Sequence, residues 1–346
     1  MKGEKEKILF SNQLKKSTLI DECKSFKKIF VLMDTHTKKH CWHLLENYFP
    51  KEYTLTYTIK AGEKHKNLQS VNGILSWLLK NNAEKKHLLL NLGGGVVSDI
   101  GAFAASIFKR GIKYANIPTS LLAMVDASIG GKNGIDFNHA KNVVGTFSKP
   151  EFIFICPLFL NSLNKRNFNN GLAEMLKHKI LDGKASDFSI KKLSNKNTLF
   201  AEIKSAVHFK SATVNKDFED KGIRNILNFG HTIGHAIESY MLQKNKNILH
   251  GEAIAAGMIC ELYISSILFN YPQIELAKTE KIIFSIFHKI NLPGYSSLKK
   301  FLLNDKKKKD GKIKFSLLKS INEPVFDVLV DEKLINKSIA YYQRLN

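Results

Sequence analysis

Cysteines, acidic side chains and long uncharged apolar runs are all scarce in this chain of 346 residues. The four cysteines, Cys23, Cys41, Cys156 and Cys260, are scattered and form no C-x-x-C pair, so we expect a reducing compartment and no disulfide framework. No stretch of about 18 apolar residues lacks a charge, so we expect no membrane span. The first seven residues are too polar for a signal peptide. Together these absences predict a cytoplasmic protein.

Basic residues far outnumber acidic ones, with 53 Lys and Arg against 31 Asp and Glu and a formal net charge of +22. Such an excess favours anionic partners and raises nonspecific affinity for nucleic acid. The lysines are scattered, however, and the one dense run, Lys306 to Lys309, has no interleaved aromatic residues. We therefore expect no nucleic-acid partner, whereas an anionic small-molecule substrate fits the charge.

The pattern of apolar residues changes near residue 157. Before it, strand-like and helical runs alternate, at Lys28–Met33, Thr54–Ile59, Leu68–Leu79, His87–Leu92, Gly101–Lys109 and Tyr114–Ile117. After it, most of the chain has helical spacing, at 170–182, 199–214, 228–243, 250–269 and 275–290, with one strand-like run at Ile313–Leu318. The alternation predicts an α/β domain with a parallel sheet at 1–156, and the rest predicts an all-α domain at 157–346.

A triple glycine, Gly93 to Gly95, follows a predicted strand and opens a predicted helix. Glycines there let the backbone approach a phosphate, and a helix N-terminus offers free amides. A tight turn alone would also explain them, although Asp99 in the same loop suits a ribose or nicotinamide group. Asp34 ends the first strand, where an acid commonly binds ribose, and Glu63 to Lys66 adds an acid and bases. Each of these charged groups taken alone is common on a solvated surface.

The segment 118–145 mixes hydroxyls, the acid Asp126, paired glycines and two lysines, Lys132 and Lys141. That composition suits polar recognition better than core packing, and Lys132 after Gly130 and Gly131 could hold a phosphate or carboxylate. A glycine-rich surface loop is the plainer alternative.

The candidate metal ligands lie in the second half of the chain. His231 and His235 are four residues apart and share one face of a predicted helix. His250 opens the next helix, and Glu174 lies on an earlier one. Ligands of these types on separate helices predict a catalytic zinc site with two histidines and one carboxylate. The spacing leaves open whether His235 is a ligand or a free acid–base.

From about Ile29 to Ile321 the chain resembles the 3-dehydroquinate synthase family. The resemblance is carried by ordered motifs, namely Gly93–Asp99, Lys109–Gly111, Pro118–Ile135, Lys141–Asn142, Gly171–Lys177, Gly222–Arg224, Asn228–Glu238 and His250–Glu252. It implies an N-terminal nucleotide-binding α/β domain, a helical domain that binds metal and substrate, and a homodimer.

The resemblance also implies the site residues. Zinc, or cobalt in its place, would be held by Glu174, His231 and His250. NAD would contact Asp34, Glu63, Lys66, Gly94, Gly95, Asp99, Thr119, Ser120, Lys132, Lys141 and Ser162. The substrate would meet Arg110, Asp126, Lys132, Asn142, Lys177, Lys210, Arg224, Asn228, His235 and Lys306 or Lys307.

The implied substrate is 3-deoxy-D-arabino-heptulosonate 7-phosphate. Bound NAD would oxidise its C5 alcohol transiently while the metal polarises that oxygen. Phosphate would then leave, the ketone would be reduced again, and an internal aldol reaction would close the carbocycle. We expect His235, near but not on the metal, to move protons with help from the substrate's own phosphate.

Several positions depart from the family pattern. They are His36 for Asn, Ser98 for Gly, Ser120 for Thr, Ala127 for Ser, Asn133 for Thr, Asp136 for Asn, and Asn164 and Asn167 for Pro and Glu. Ser98 would place a side chain close to the pyrophosphate and weaken NAD binding. No expected metal ligand is missing.

Three alternatives remain at this point. Another sugar-phosphate cyclase would act on a different sugar, but Lys210, Arg224 and Asn228 suit the carboxylate end of the heptulosonate. A metal-dependent polyol dehydrogenase would produce NADH, and the additional lysines argue against it. The charge of +22 motivates a noncatalytic nucleic-acid binder, which would bind duplexes strongly at physiological salt.

Overall fold

The computed structural model describes residues 5–138, 140–304, 308–309 and 312–345. The chain forms two compact units, Met1–Asn164 and Lys165–Asn346. The first is a layered α/β unit and the second is mainly helical.

Unit 1 is built on a parallel sheet of six strands in the order β1-β8-β5-β4-β2-β3. The strands of the unit are β1 Ile8–Phe10, β2 Ile29–Asp34, β3 Thr54–Ile59, β4 Leu88–Gly93, β5 Lys113–Pro118, β6 Lys132–Phe137, β7 Ala140–Phe147 and β8 Ile153–Ile155. Its helices are α1 Lys16–Cys23, α2 Thr35–His40, α3 Leu68–Lys80 and α4 Gly95–Ile107. The predicted parallel α/β architecture is confirmed.

The central strands are covered on both faces, because β4 and most of β2 are buried continuously. Such unbroken apolar runs are typical of a parallel sheet between helices. The small residues of α4 let it pack closely: a methyl group on Gly101 would lie 1.9 Å from the Asn91 side-chain oxygen of β4. Helix α4 starts at Gly95, earlier than the predicted start at Gly101.

The order of the strands reverses direction between β2 and β4. On one side of β2 the next strand is β3, at one edge of the sheet. On the other side β4 is followed by β5, β8 and β1, toward the opposite edge. In open parallel sheets, ligands bind outside the carboxyl ends of the strands at such a switch point. Asp34 ends β2 and Gly93 ends β4, so both predicted nucleotide motifs flank this point.

The segment 118–145 contains more regular structure than its glycines suggest. Strands β6 and β7 form an antiparallel hairpin that packs on α4. A π turn, Ala123–Ala127, precedes it. The segment is therefore not simply a surface loop, because much of it forms a hairpin that packs on unit 1.

Unit 2 consists of helices with one small antiparallel sheet, ordered β11-β10-β9. Its helices are α5 Lys165–Leu181, α6 Ile190–Leu193, α7 Lys196–Lys216, α8 His231–Gln243, α9 His250–Phe269, α10 Gln273–Ile286, α11 Tyr295–Asn304 and α12 Glu332–Arg344. The strands are β9 Lys308–Lys309, β10 Lys312–Ser320 and β11 Glu323–Val330. The predicted strand at Ile313–Leu318 lies in β10, and the predicted helix 228–243 starts at His231, after a 3-10 turn at Ile223–Asn228.

Helix α9 is the central helix of unit 2, packing against α5, α8, α10 and α12. Among the described residues it is the one helix long and apolar enough to cross a membrane, yet 72% of its apolar window is buried inside the protein. The apolar side chains of α9 therefore form part of the hydrophobic core of unit 2.

Candidate active site

The carboxyl edge of the sheet in unit 1 holds the triple glycine. Gly94 follows the end of β4 and is the N-cap residue of α4. It has no side chain that could accept from the first amides of the helix, so these amides need another acceptor. A methyl group on Gly94 would lie 3.3 Å from the Ser120 hydroxyl, just past the end of β5. Such a helix N-terminus with closely approaching backbone suits a pyrophosphate.

Lys66 connects three parts of this edge. Lys66 is 4% exposed, and its ammonium donates to Asp99 of α4 and to the Asn142 side-chain oxygen of β7, both at 2.5 Å. Burial lowers the pKa of Lys66, but the carboxylates of Asp99, Glu63 and Asp136 outweigh burial and raise it. Lys66 is therefore a fixed cation that orients Asp99 and Asn142.

The other predicted cofactor residues of unit 1 lie at strand ends and in neighbouring turns. Asp34 accepts from the Thr37 amide at 2.8 Å and thus caps α2. Thr119 donates its amide to the Gly93 carbonyl at 2.9 Å. Lys141 lies 3.6 Å from Glu63. Ser162 ends the 3-10 turn Pro157–Ser162.

Four residues predicted to contact substrate also belong to unit 1. Arg110 has a φ of 61° in the turn after α4, and Asp126 lies in the π turn. Lys132 starts β6 and is exposed. Asn142 lies beside Lys66, among the predicted cofactor residues, and its φ is 52°.

Two of the departing side chains stabilise the hairpin. Asn133 donates to the Ser148 hydroxyl at 2.9 Å, and its side-chain oxygen accepts from Thr146 at 2.7 Å. Asp136 accepts from the Asn142 amide at 2.9 Å. Ser98 is 2% exposed on α4, and its influence on NAD stays a prediction.

In unit 2 three helices bring Glu174, His231 and His250 together. Glu174 of α5 is completely buried, and its Oε1 lies 3.6 Å from Nε2 of both His231 and His250. That separation is too long for a hydrogen bond. It is close to the separation of about 3.4 Å between two ligand atoms on a tetrahedral zinc with bonds of about 2.1 Å.

The other nitrogen of each imidazole has its own acceptor. Nδ1 of His231 donates to the Phe229 carbonyl at 3.1 Å, and Nδ1 of His250 donates to Glu238 at 3.3 Å. With each Nδ1 proton held in this way, Nε2 of both rings is the nitrogen left to bind a metal beside Glu174. Three acceptors gathered around one point repel one another unless a cation lies between them, so the donor set fits a divalent metal.

The pKa shifts show how the cluster behaves without a cation. Burial lowers the pKa of His231, and Lys177 lowers it further, to well below 6.5. Burial also acts to lower the pKa of His250, but Glu174 and Glu238 raise it to about 10. A proton on His250 can therefore take the place of a metal between the two carboxylates.

Polar contacts between α5 and α9 fix the position of His250. Arg166 of α5 binds Glu252 through two nitrogens, at 2.7 and 2.9 Å, next to the start of α9. The Asn170 side chain accepts from the Gly251 amide at 2.5 Å. A methyl group on Gly251 would lie 2.3 Å from the Asn170 carbonyl, so this close contact requires glycine.

His235 lies beside the cluster but is exposed. Its ring centroid is 5.0 Å from that of His231 and 5.7 Å from that of His250. One nitrogen of each of these three rings lies within 4.8 Å of the others, so the geometry leaves both roles of His235 open.

Three cations of unit 2 that were predicted to contact the substrate are buried. Lys177, Lys210 and Arg224 are 1%, 6% and 4% exposed, and Lys177 forms an ion pair with Glu174. Helices α5 and α7 and the turn Ile223–Asn228, which provide them, pack on one another. Asn228 ends that turn. Lys306 and Lys307 lie outside the described residues.

Glu238 is the site residue to which the sequence pattern assigned no role. It lies on α8 seven residues after His231, so both lie on the same face of that helix. This spacing from His231 was the sequence feature that could have indicated Glu238. The partner of Glu238 is His250 on another helix, however, and only the folded chain reveals that pair.

Comparisons with known proteins match most of the chain. Residues 56–170 match the family model described as 3-dehydroquinate synthase N-terminal, and residues 171–308 match 3-dehydroquinate synthase C-terminal. A 3-dehydroquinate synthase of Parabacteroides distasonis is 38% identical over 346 residues, covering 98% of each chain.

Two solved structures share the fold at lower identity. A 2-deoxy-scyllo-inosose synthase, solved with carbaglucose-6-phosphate, NAD+ and Co2+, has a TM-score of 0.85 at 23% identity and covers 96% of each chain. The 2-epi-5-epi-valiolone synthase ValA of Streptomyces hygroscopicus subsp. jinggangensis 5008, with NAD+ and Zn2+, has a TM-score of 0.85 at 23% identity. The match to ValA covers 99% of this chain and 98% of the ValA chain.

Proposed function

The chain belongs to the 3-dehydroquinate synthase family, and from that premise we propose how its own residues carry out the family's reaction. It is a carbon–oxygen lyase that converts 3-deoxy-D-arabino-heptulosonate 7-phosphate to 3-dehydroquinate and phosphate. This is a step of the shikimate pathway toward chorismate and the aromatic amino acids. The route is transient oxidation, elimination of phosphate, reduction and intramolecular aldol closure.

The metal site consists of Glu174, His231 and His250. The observation that supports it is the position of both Nε2 atoms, 3.6 Å from one buried carboxylate oxygen, with both Nδ1 atoms already engaged. A zinc or cobalt ion held there would supply Lewis-acid chemistry for the C5 oxygen, and bound NAD would supply hydride-transfer chemistry. The chain's own contribution is a rigid, largely buried ligand set oriented by Phe229 and Glu238.

Unit 1 binds the dinucleotide at the carboxyl edge of its sheet. The amides at Gly94 and Gly95 receive the pyrophosphate at the start of α4. Asp34 and Asp99 bind the sugar and nicotinamide ends, and Lys66 holds Asp99 in place. Glu63, Thr119, Ser120, Lys132, Lys141 and Ser162 complete the contacts.

The substrate is bound through its anionic groups. Lys177, Lys210 and Arg224 are cations buried in unit 2, and Lys and Arg side chains are suited to binding carboxylate and phosphate groups. We assign them, with Asn228, to the carboxylate and phosphate of the substrate. The substrate contacts of Arg110, Asp126, Lys132 and Asn142 in unit 1 stay a prediction. Holding both charged ends aligns the C5 alcohol and the C6 proton for reaction.

His235 moves protons in this scheme. It is exposed beside the two ligand imidazoles, so it can exchange protons with solvent and with the substrate's phosphate. His235→Ala should keep its metal and lose turnover. If the variant keeps both, His235 has no role in proton transfer, and if it loses the metal, His235 is a ligand.

We further propose that unit 1 is the NAD-binding domain, that unit 2 is the metal- and substrate-binding domain, and that the enzyme works as a cytoplasmic homodimer. The four cysteines are free and buried, which suits a reducing compartment. Sedimentation equilibrium tests the dimer.

The function is tested by phosphate release from the heptulosonate phosphate, with and without NAD and with a strong chelator. We expect release that requires both cofactors, together with no net NADH. Net NADH from a polyol would indicate a dehydrogenase. Faster release from a hexose 6-phosphate would indicate another sugar-phosphate cyclase.

A further inference from the structure

Helix α8 starts without a cap of its own. Its N-cap residue is Gly230, which has no side chain and a φ of 80°. The first amides of a helix need acceptors from elsewhere. Here they come from α9: the carboxylate of Glu261 accepts from the Gly230 amide at 2.6 Å and from the Ile233 amide at 3.1 Å. Glu261 therefore caps a helix to which it does not belong.

Close packing of α8 on α9 allows this contact. A methyl group on Gly257 would lie 2.1 Å from the Gly230 carbonyl oxygen, and one on Gly234 would lie 2.7 Å from an Ile254 methyl group. Glu261 lies one turn after Gly257 on α9, so the close crossing places its carboxylate at the start of α8. The side chain is completely buried, and the positive end of the α8 dipole helps to offset its charge.

The same peptide unit connects Glu261 to His231. The amide N–H of Gly230 donates to Glu261, and the carbonyl joined to that amide, Phe229 O, accepts from His231 Nδ1. A carboxylate, a peptide group and an imidazole thus form one chain of hydrogen bonds, and each bond polarises the next. A ligating histidine donates its other ring N–H to a carboxylate, a main-chain carbonyl or water, and Glu238 accepts directly from His250 in this way.

We propose that Glu261 is a positioning residue of the metal centre, acting on His231 through the Phe229–Gly230 peptide. It fixes the orientation of that peptide and of the first turn of α8, and thereby points the Nε2 of His231 toward Glu174. The inference rests on the metal site proposed above.

The test compares Glu261→Gln with Ser265→Ala. Ser265 is also fully buried on α9, one turn further on. Its hydroxyl accepts from the Leu318 amide at 3.1 Å and donates to the main-chain carbonyl of Glu261 at 2.9 Å, so Ser265→Ala disturbs the same helix but leaves the Glu261 carboxylate in place. Cobalt(II) alone is the probe. Its affinity is measured by competition with a chelator, its visible absorption spectrum reports ligand geometry, and thermal unfolding of the metal-free proteins reports stability.

We expect Glu261→Gln to weaken cobalt binding about 10- to 100-fold, as loss of an outer partner commonly does. Its cobalt spectrum should change too, whereas Ser265→Ala should keep the wild-type affinity and spectrum even where its stability falls equally. Glu261→Asp, which is one methylene shorter and retains the charge, should lie between wild type and Glu261→Gln.

Wild-type affinity and spectrum in Glu261→Gln would overturn the proposal. So would an equal loss of affinity in Ser265→Ala, because affinity would then follow overall stability. If Glu261→Gln does not fold, wild-type behaviour of Glu261→Asp overturns it in the same way. A wild-type protein that takes up no cobalt would reject the metal site itself, and this inference with it.

Discussion

Metal binding to this protein should release one proton, and the proton should come from His250. In the metal-free protein the His250 ring lies between Glu174 and Glu238, which raise its pKa to about 10 against the effect of burial. A metal can bind Nε2 only after that proton leaves. The pKa of His231 is lowered well below 6.5, so His231 contributes no second proton above neutral pH.

The size of the effect follows from that pKa. At pH 7, about three pH units below it, displacing the proton costs about 4 kcal/mol, or a thousandfold in apparent affinity. The apparent affinity for zinc should therefore rise about tenfold for each pH unit from 7 to 9. Glu238→Gln removes one of the two carboxylates that raise the pKa of His250, so its curve should level off at lower pH.

Two measurements examine this prediction. Chelator competition between pH 7 and 9 gives the slope, and calorimetry in two buffers of different ionisation enthalpy counts the protons released. A slope near zero, or no proton release at pH 7.5, would refute the reasoning. A slope of two would mean that His231 is also protonated.

The same pKa predicts how stability depends on pH. Because the folded-state pKa of His250 lies above its ordinary value of 6.5, its stabilising contribution is complete below about pH 6.5 and is lost as the pH rises toward 10. The metal-free protein should therefore unfold at a lower temperature at pH 9 than at pH 7. The loss should be smaller in Glu238→Gln, and thermal unfolding at the two pH values measures it.

Four further substitutions test separate parts of the structure. Glu174→Gln should lose stoichiometric zinc, measured by elemental analysis, and full zinc content would contradict the ligand assignment. The same variant should lower the free energy of unfolding of the metal-free protein in urea by about 3–5 kcal/mol, because Lys177 stays buried without its carboxylate. Gly257→Ala should cost about 1–3 kcal/mol, since the added methyl group meets a backbone carbonyl at 2.1 Å, and unchanged unfolding would show that α8 and α9 separate easily. Lys66→Met should weaken NAD binding at least about tenfold by fluorescence titration while zinc content stays at the wild-type level, because its carboxylate and amide partners lose their shared cation. Ser98→Gly should tighten NAD binding in the same titration, and weaker binding would show that the hydroxyl helps.

Much of the sheet in unit 1 could be predicted from the sequence. The runs at 28–33, 54–59 and 87–92 are apolar, bounded by polar or glycine residues, and became β2, β3 and β4. The hairpin of β6 and β7 was not predicted, because Gly131, Lys132, Asn133 and Gly134 have the composition of a turn. Packing on α4 and the side-chain bonds of Asn133 stabilise it there, so tertiary context outweighs local propensity.

The candidate metal site could also be predicted only in part from the sequence. Residue types and spacing indicated each ligand, but Glu174 and His250 are 76 residues apart, and no local pattern specifies their approach. The resemblance to a family provided that pairing in advance. The partners of the ligands, namely the Phe229 carbonyl, Glu238 and Glu261, depend on where helices cross and how peptide groups turn, so only the folded chain reveals them.

The central claim is that one cation is bound by two imidazoles and one carboxylate of unit 2. Crystals of the zinc-loaded enzyme, measured at wavelengths on either side of the zinc absorption edge, would test it most directly. We predict one anomalous peak about 2.0–2.2 Å from Glu174 Oε1 and from Nε2 of His231 and His250. A peak bound by His235 in place of one of these residues, or located elsewhere, would contradict it.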